Sequence, residues 1–203
     1  MSEGNREVVL GSLRRALGRI GPVDEETAVK LRARLVGHAR NIVPARTALD
    51  NDGLVELFET MAQKVHSTVV RVSSMDDVPI AVGNYLRGEN LPSGIVMAPD
   101  RTLDAAPWSE NTLLEIRRGA PVESDQVSVT SASAAVAETG TLAMYSGPDH
   151  PATLNFIPET HVVVLPAGRV VKSYEDVWDS IRAQAADSKS GRGGQLPRTV
   201  NFV

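Results

Sequence analysis

Apolar positions along the chain take on three textures. In the first, they recur at helical spacing: Val9, Leu10, Leu13, Ala16 and Leu17 share a face until Gly18, Gly21 and Pro22 interrupt the pattern. A second helical stretch follows Asp24, with Ala28, Leu31 and Leu35 on one side and Lys30, Arg32 and Arg34 on another, and it ends before Pro44. Together these predict an N-terminal helical arm over residues 1–45, followed by a single α/β domain over residues 46–203. A third helix is predicted from Asp52 to His66, where Leu54, Leu57, Phe58, Met61 and Val65 form one stripe that needs a sheet or another helix to cover.

From Thr68 the texture changes to short β-branched runs alternating with helical patterns. Thr68 to Val72 predicts a strand, Asp76 to Arg87 a helix, and Gly94 to Ala98 a strand between Pro92 and Pro99, which makes a β-α-β unit. Further strands are predicted at Gln126–Thr130, Thr141–Tyr145, His161–Leu165, Val170–Val171 and Thr199–Val203, with a helix from Tyr174 to about Ala186. The continuous apolar run Val162 to Leu165 implies a sheet covered on both faces, and the consecutive strands after Gln126 imply some antiparallel pairing within it. The third texture is Ser188 to Gln195, a Gly/Ser stretch that reads as a mobile loop.

Composition narrows the chemistry. With 42% hydrophobic residues but only 4% aromatics, the core must be built from Val, Leu, Ile and Ala, and base-stacking platforms are scarce. A net charge of −4 argues against neutralising many phosphates, so no nucleic-acid partner is expected. The absence of cysteine removes disulfides, thiolate nucleophiles and cysteine-held clusters, so any electron transfer would need a bound cofactor or a partner. No apolar run reaches the length of a membrane span and Met1 to Gly11 has no signal-peptide core, which gives no membrane partner and a cytoplasmic expectation. His38, His66, His150 and His161 form no H-x-x-x-H or H-E-x-x-H pattern, and no metal site is assigned. G-x-S-x-G and P-loop motifs are absent, and the cofactor is unknown.

Two segments hold candidate chemistry. In Ala137–Leu142, Gly140 can take a positive φ, and Thr139 and Thr141 flank it with hydroxyls. The turn can present N–H and O–H groups to a small anionic ligand, or its threonines can satisfy the local backbone. Glu138 is its one ionisable group, read as a candidate catalytic carboxylate or as a solvated one. In Asn155–His161, Pro158 stiffens the entry to a buried strand, and His161 at the strand mouth can meet a ligand or be tied to backbone.

The order of these segments carries a resemblance. A small-residue run, Ala-Glu-Thr-Gly-Thr, an apolar strand, Pro158-Glu159-Thr160-His161 and Val170-Val171 before an amphipathic helix resemble the LUD domain family from about Thr68 to Val203. The resemblance implies a three-layer α/β/α fold with a mixed, mostly parallel sheet, similar to the sugar-phosphate isomerase and CoA-transferase superfamily. It implies a part in oxidising L-lactate to pyruvate beside iron-sulfur partner proteins. The motif residues carry over onto Glu138, Thr139, Gly140, Thr141, Pro158 and His161. Members of the family continue past a strand like Thr199–Val203 into a glycine-rich loop, so an anion-binding element beyond Val203 is expected to be missing from this chain.

Three functions follow as expectations. One is an accessory, non-redox component of lactate oxidation that holds a small anionic metabolite or a partner. Another is a CoA-transferase-like or isomerase-like enzyme on a small carboxylate or sugar phosphate, with Glu138 as nucleophile or base. The last is an assembly module in which the basic arm builds a homo-oligomer.

Overall fold

The computed structural model describes residues 3–18, 21–186 and 196–203. Ser188–Gln195 therefore lies outside the described residues. Two compact units divide the chain, Met1–Asn41 and Ile42–Val203. The first holds α1 (Glu3–Ala16) and α2 (Glu25–Gly37). Asp24 caps α2, its carboxylate accepting the Thr27 N–H at 2.8 Å, and His38 closes the helix in the left-handed region.

The second unit opens with α3 (Asn51–Lys64), capped by Asp50, and then α4 (Val78–Gly88), β1 (Gly94–Met97), α5 (Arg101–Asp104) and β2 (Glu115–Arg118). There follow β3 (Val127–Ser131), β4 (Ala134–Val136), β5 (Thr141–Tyr145), β6 (Thr160–Val164), β7 (Val170–Val171), α6 (Tyr174–Ala186) and β8 (Val200–Phe202). Among the described residues the strands form two sheets of four. Sheet A runs β2-β1-β3-β6 and is parallel throughout; sheet B runs β7-β4-β5-β8 and is mixed.

A two-strand ribbon joins the sheets. β3 and β6 pair in parallel in sheet A, and only a few residues on, their continuations β4 and β7 pair in parallel in sheet B. Across the gap, Ala132 N–H reaches Val164 O at 3.4 Å and Ser133 N–H reaches Ala143 O at 2.9 Å.

Period-two alternation explains the layers of sheet B. Ala135, Ala137 and Val170 meet Leu54, Phe58 and Ala62 of α3, while Ala134, Val136, Ala143 and Tyr145 meet Val177 and Ile181 of α6. The result is α3/sheet B/α6, with small residues in β4 letting both helices approach. Each fully buried Leu, Phe or Ile in these layers contributes about 1.5–3 kcal/mol. Sheet A has its own core, in which Val78, Val82 and Leu86 of α4 pack with Ile95, Met97, Val127 and Val129, and Leu103 and Trp108 join them.

The structure departs from the sequence expectations at three places. Thr68–Val72 is not a strand; it forms no ladder and leaves Val70 and Val72 exposed, so the parallel crossover unit is β1-α5-β2 instead. Strands β2 and β4 are additions. β2 is a charged edge strand (EIRR) without apolar alternation, and β4 is three small residues hidden in a run of alanines and serines. On α3 the buried stripe runs through Ala62 rather than out to Val65, which caps the helix and is exposed.

Candidate functional site

The order of sheet A places a switch point between β1 and β3. The chain leaves β1 toward β2 on one side, and β3 and β6 extend the sheet on the other. In open α/β sheets the crevice outside the strand carboxyl ends at such a point is where ligands bind. Asp100 follows β1, Ser131 ends β3, and Arg169 stands in the link between β6 and β7.

These three residues and two neighbours form one hydrogen-bonded cluster. Asp100 begins α5 and is only 5% exposed. Its Oδ1 accepts the Thr102 N–H at 2.8 Å, and its Oδ2 accepts the Ser131 hydroxyl. His150 Nε2 lies 3.8 Å from the same Oδ2. Arg169 donates through Nη1 to Ala132 O at 2.8 Å and to Ser131 Oγ at 3.5 Å, and through Nη2 to Thr102 Oγ1 at 2.9 Å. Burial pulls the Asp100 carboxyl upward, but the hydrogen bonds from Ser131 and Thr102, with His150 nearby, outweigh it and hold the group below the usual carboxylate range. Asp100 is therefore an ionised acceptor at neutral pH. Among the described residues no carboxylate pairs directly with Arg169, whose acceptors are all neutral. A carboxylate with acceptor capacity left and a guanidinium with only neutral partners thus meet at one strand end.

The residues singled out from sequence sit elsewhere, in two groups. Glu138, Thr139, Gly140 and Thr141 form the turn between β4 and β5, at the carboxyl end of β4 in sheet B. Thr139 Oγ1 lies 2.8 Å from Thr141 Oγ1 and 3.2 Å from Tyr174 Oη, and Tyr174 Oη lies 2.9 Å from Thr141 Oγ1. Three hydroxyls in a closed triangle can each donate once and accept once within the ring. Gly140 has φ +71°, and a Cβ there would stand 2.4 Å from Ala62 N, so the turn is seated on the backbone of α3. The Glu138 side chain is one-fifth exposed, with Arg46 Nη2 3.8 Å from its carboxylate and 3.3 Å from its backbone carbonyl.

Pro158 and His161 belong to the other end of the ribbon. His161 sits opposite Ser128 in sheet A, with Nε2 2.7 Å from Thr130 Oγ1. Burial pushes its imidazole down to about 4, so it is neutral at physiological pH. Ser128 lies in β3 of sheet A and Glu138, ten positions further on, follows β4 of sheet B.

Asp100, Thr102, Ser131, His150 and Arg169 were not legible as a group, because their segments meet only through parallel pairing. A signal was present in Pro99-Asp100, which is a capping residue immediately after an apolar strand. A separate hollow of about 370 Å³ opens at the amino ends of β1 and β2, beside the Arg117–Asp125 ion pair, away from this cluster.

Fold and cluster together define an α/β domain with a polar site at the carboxyl end of a parallel sheet. A family model for the LUD domain matches residues 55–203, and the chain belongs to that family. Lactate utilization protein C of Exiguobacterium sp. is 24% identical over 157 residues, which cover 74% of this chain and 65% of that protein. The chain thus spans less than two thirds of that relative's length. A DUF162 family protein from Deinococcus radiodurans, known from a crystal structure, has the same fold, with a TM-score of 0.59 at 19% identity over 76% of this chain and 88% of that one.

Proposed function

We propose that this chain serves L-lactate utilization in the cytoplasm as a component without redox groups of its own, and that it holds a small hydroxy acid at the Asp100–Arg169 cluster. The observation that carries the reading is the pairing of an ionised acceptor with a guanidinium that has only neutral partners, at the switch point of sheet A. Arg169 takes the ligand carboxylate, and Asp100 accepts the hydrogen of its hydroxyl. The relative named lactate utilization protein C supports the substrate class. A chain without cysteine holds no cysteine-ligated cluster, so electrons from the bound acid pass to iron-sulfur partner proteins.

Calorimetric titration with L-lactate and pyruvate tests this. The native chain is expected to bind at least one of them, and Arg169→Gln to weaken that binding about tenfold or more, the scale of a lost charged hydrogen bond. No heat with either acid, or an unchanged affinity in a folded Arg169→Gln chain, would count against the site.

Glu138 favours a second reading. Its partly exposed carboxylate at the end of β4, beside Arg46, fits a nucleophile or base of a CoA-transferase-like or isomerase-like enzyme. In that case Glu138→Gln abolishes turnover of a small acyl donor or sugar phosphate, and turnover that survives the change removes Glu138 from the chemistry.

A further inference from the structure

His150 reaches Asp100 from the loop that follows β5 of sheet B. It closes a tight turn, in which the Gly147 N–H donates to His150 O at 3.3 Å and the His150 N–H to Gly147 O at 3.1 Å. Pro148 fixes φ at the second turn position, and Pro151 restricts His150 itself to extended backbone. The loop is tied down on both sides of the turn: the Ser146 N–H donates to Thr199 O at 2.9 Å, and the carbonyl of fully buried Leu154 accepts the Ser128 hydroxyl of β3 at 2.7 Å. The imidazole is thus held in place, yet its side chain is 30% exposed and open to a ligand. Its Nε2 stands 3.8 Å from Asp100 Oδ2, too far for a hydrogen bond between the two. An ionised carboxylate only accepts, so the ring nitrogen that faces it carries the proton. Ser131 occupies one lone-pair site of Oδ2 and leaves the other for the gap. An acceptor on one side and an N–H donor on the other therefore bound a space in which one oxygen can stand about 2.8–2.9 Å from both.

We propose that Asp100 and His150 together read the oxygen at C2 of the bound acid, so that the site takes 2-hydroxy acids and turns away the corresponding 2-keto acids. This rests on the reading of the cluster as a hydroxy-acid site with Arg169 on the ligand carboxylate. A hydroxyl is donor and acceptor at once: it gives its hydrogen to Asp100 Oδ2 and takes the His150 Nε2–H on a lone pair. A keto oxygen only accepts. In the same gap it would set two acceptors against each other and leave Asp100, which is 5% exposed, without the hydrogen it needs. A buried site built to bond a hydroxyl rejects the analogue lacking that hydrogen by several powers of ten. Arg169 meets the same carboxylate in both acids, so the choice falls on Asp100 and His150. The site therefore retains the reduced acid of the pair and favours release of the oxidised one.

Calorimetric titration compares the two acids directly. The native chain is expected to bind L-lactate about a hundredfold or more tightly than pyruvate. His150→Ala should weaken lactate binding about tenfold and leave pyruvate binding as weak as before, whereas His150→Gln, which keeps an N–H donor, retains most of the lactate affinity. Asp100→Asn keeps the shape and a capping oxygen but offers an amide N–H to the gap, so it should lose the preference, with pyruvate bound at least as well as lactate. Far-ultraviolet circular dichroism checks that each variant is folded, and the His150 variants decide the outcome if Asp100→Asn is not. Pyruvate bound as tightly as lactate by the native chain, or lactate affinity unchanged in folded His150→Ala, overturns this inference and leaves the Asp100–Arg169 reading in place. Binding of neither acid overturns both.

Discussion

Gly140→Ala is expected to destabilise the second unit by about 2–4 kcal/mol, combining about 1 kcal/mol for a side chain in the left-handed region with about 1–3 kcal/mol for overpacking. The new Cβ would lie 2.4 Å from Ala62 N, 2.6 Å from Met61 C and 2.9 Å from Ala62 Cα. All three are backbone atoms of α3, so no side-chain rotation relieves the clash; either the turn or the helix must move. Either movement breaks the layer in which Leu54, Phe58 and Ala62 cover Ala135 and Ala137. Urea denaturation should give a lower midpoint with an unchanged slope. Gly168→Ala is the control, since a Cβ there meets nothing within 4 Å and its φ is not positive. Equal midpoints for the two variants would show that the turn is not seated on α3 as described.

The second large effect is a loss of stability on acidification that is specific to His161. Above pH 6.5 the imidazole is neutral in both folded and unfolded chains and has no effect. As the pH falls from 6.5 toward 4, the unfolded chain takes up the proton and the folded chain does not, because burial holds the folded value near 4. Stability therefore drops by up to about 1.4 kcal/mol per pH unit, about 3 kcal/mol across the window. Asp100 acts in a different range. Its folded value is depressed, so its contribution is present above the ordinary carboxylate value of 3.8 and is lost only as the pH falls further. The two groups are thus separable by denaturation at a series of pH values. His161→Gln should flatten the slope between pH 6.5 and 4 and leave the more acid limb in place; an unaltered slope would mean that His161 is not the titrating group.

Periodicity made most of the elements legible. α6 falls on Tyr174–Ala186 and β5 on Thr141–Tyr145, where the pattern places them, because one helix face and one strand face are each buried against a partner. The pattern is silent where burial is not one-sided. β4 reads as small residues because both of its faces are covered by helices, and β2 reads as polar because it is an edge. Thr68–Val72 misleads in the opposite sense, since β-propensity measures fit to a pleated surface and does not supply the neighbouring strand. Site residues were harder still. The turn at Glu138–Thr141 was visible because its residues are adjacent, whereas Asp100, Ser131 and Arg169 stand 31 and 38 positions apart and meet only after β1, β3 and β6 have paired.

The ribbon of β3–β4 beside β6–β7 has a practical meaning for dissecting this protein. A cut between the sheets would sever two paired strands at Ala132–Ser133 and Leu165–Arg169, and would take with it the Arg169 bonds to Ala132 and Thr102 that bind the link to the switch-point loop. Neither sheet is a separable cassette. Fragments, fusions and inserted tags belong outside Val127–Val171, or the two halves of the fold are lost together.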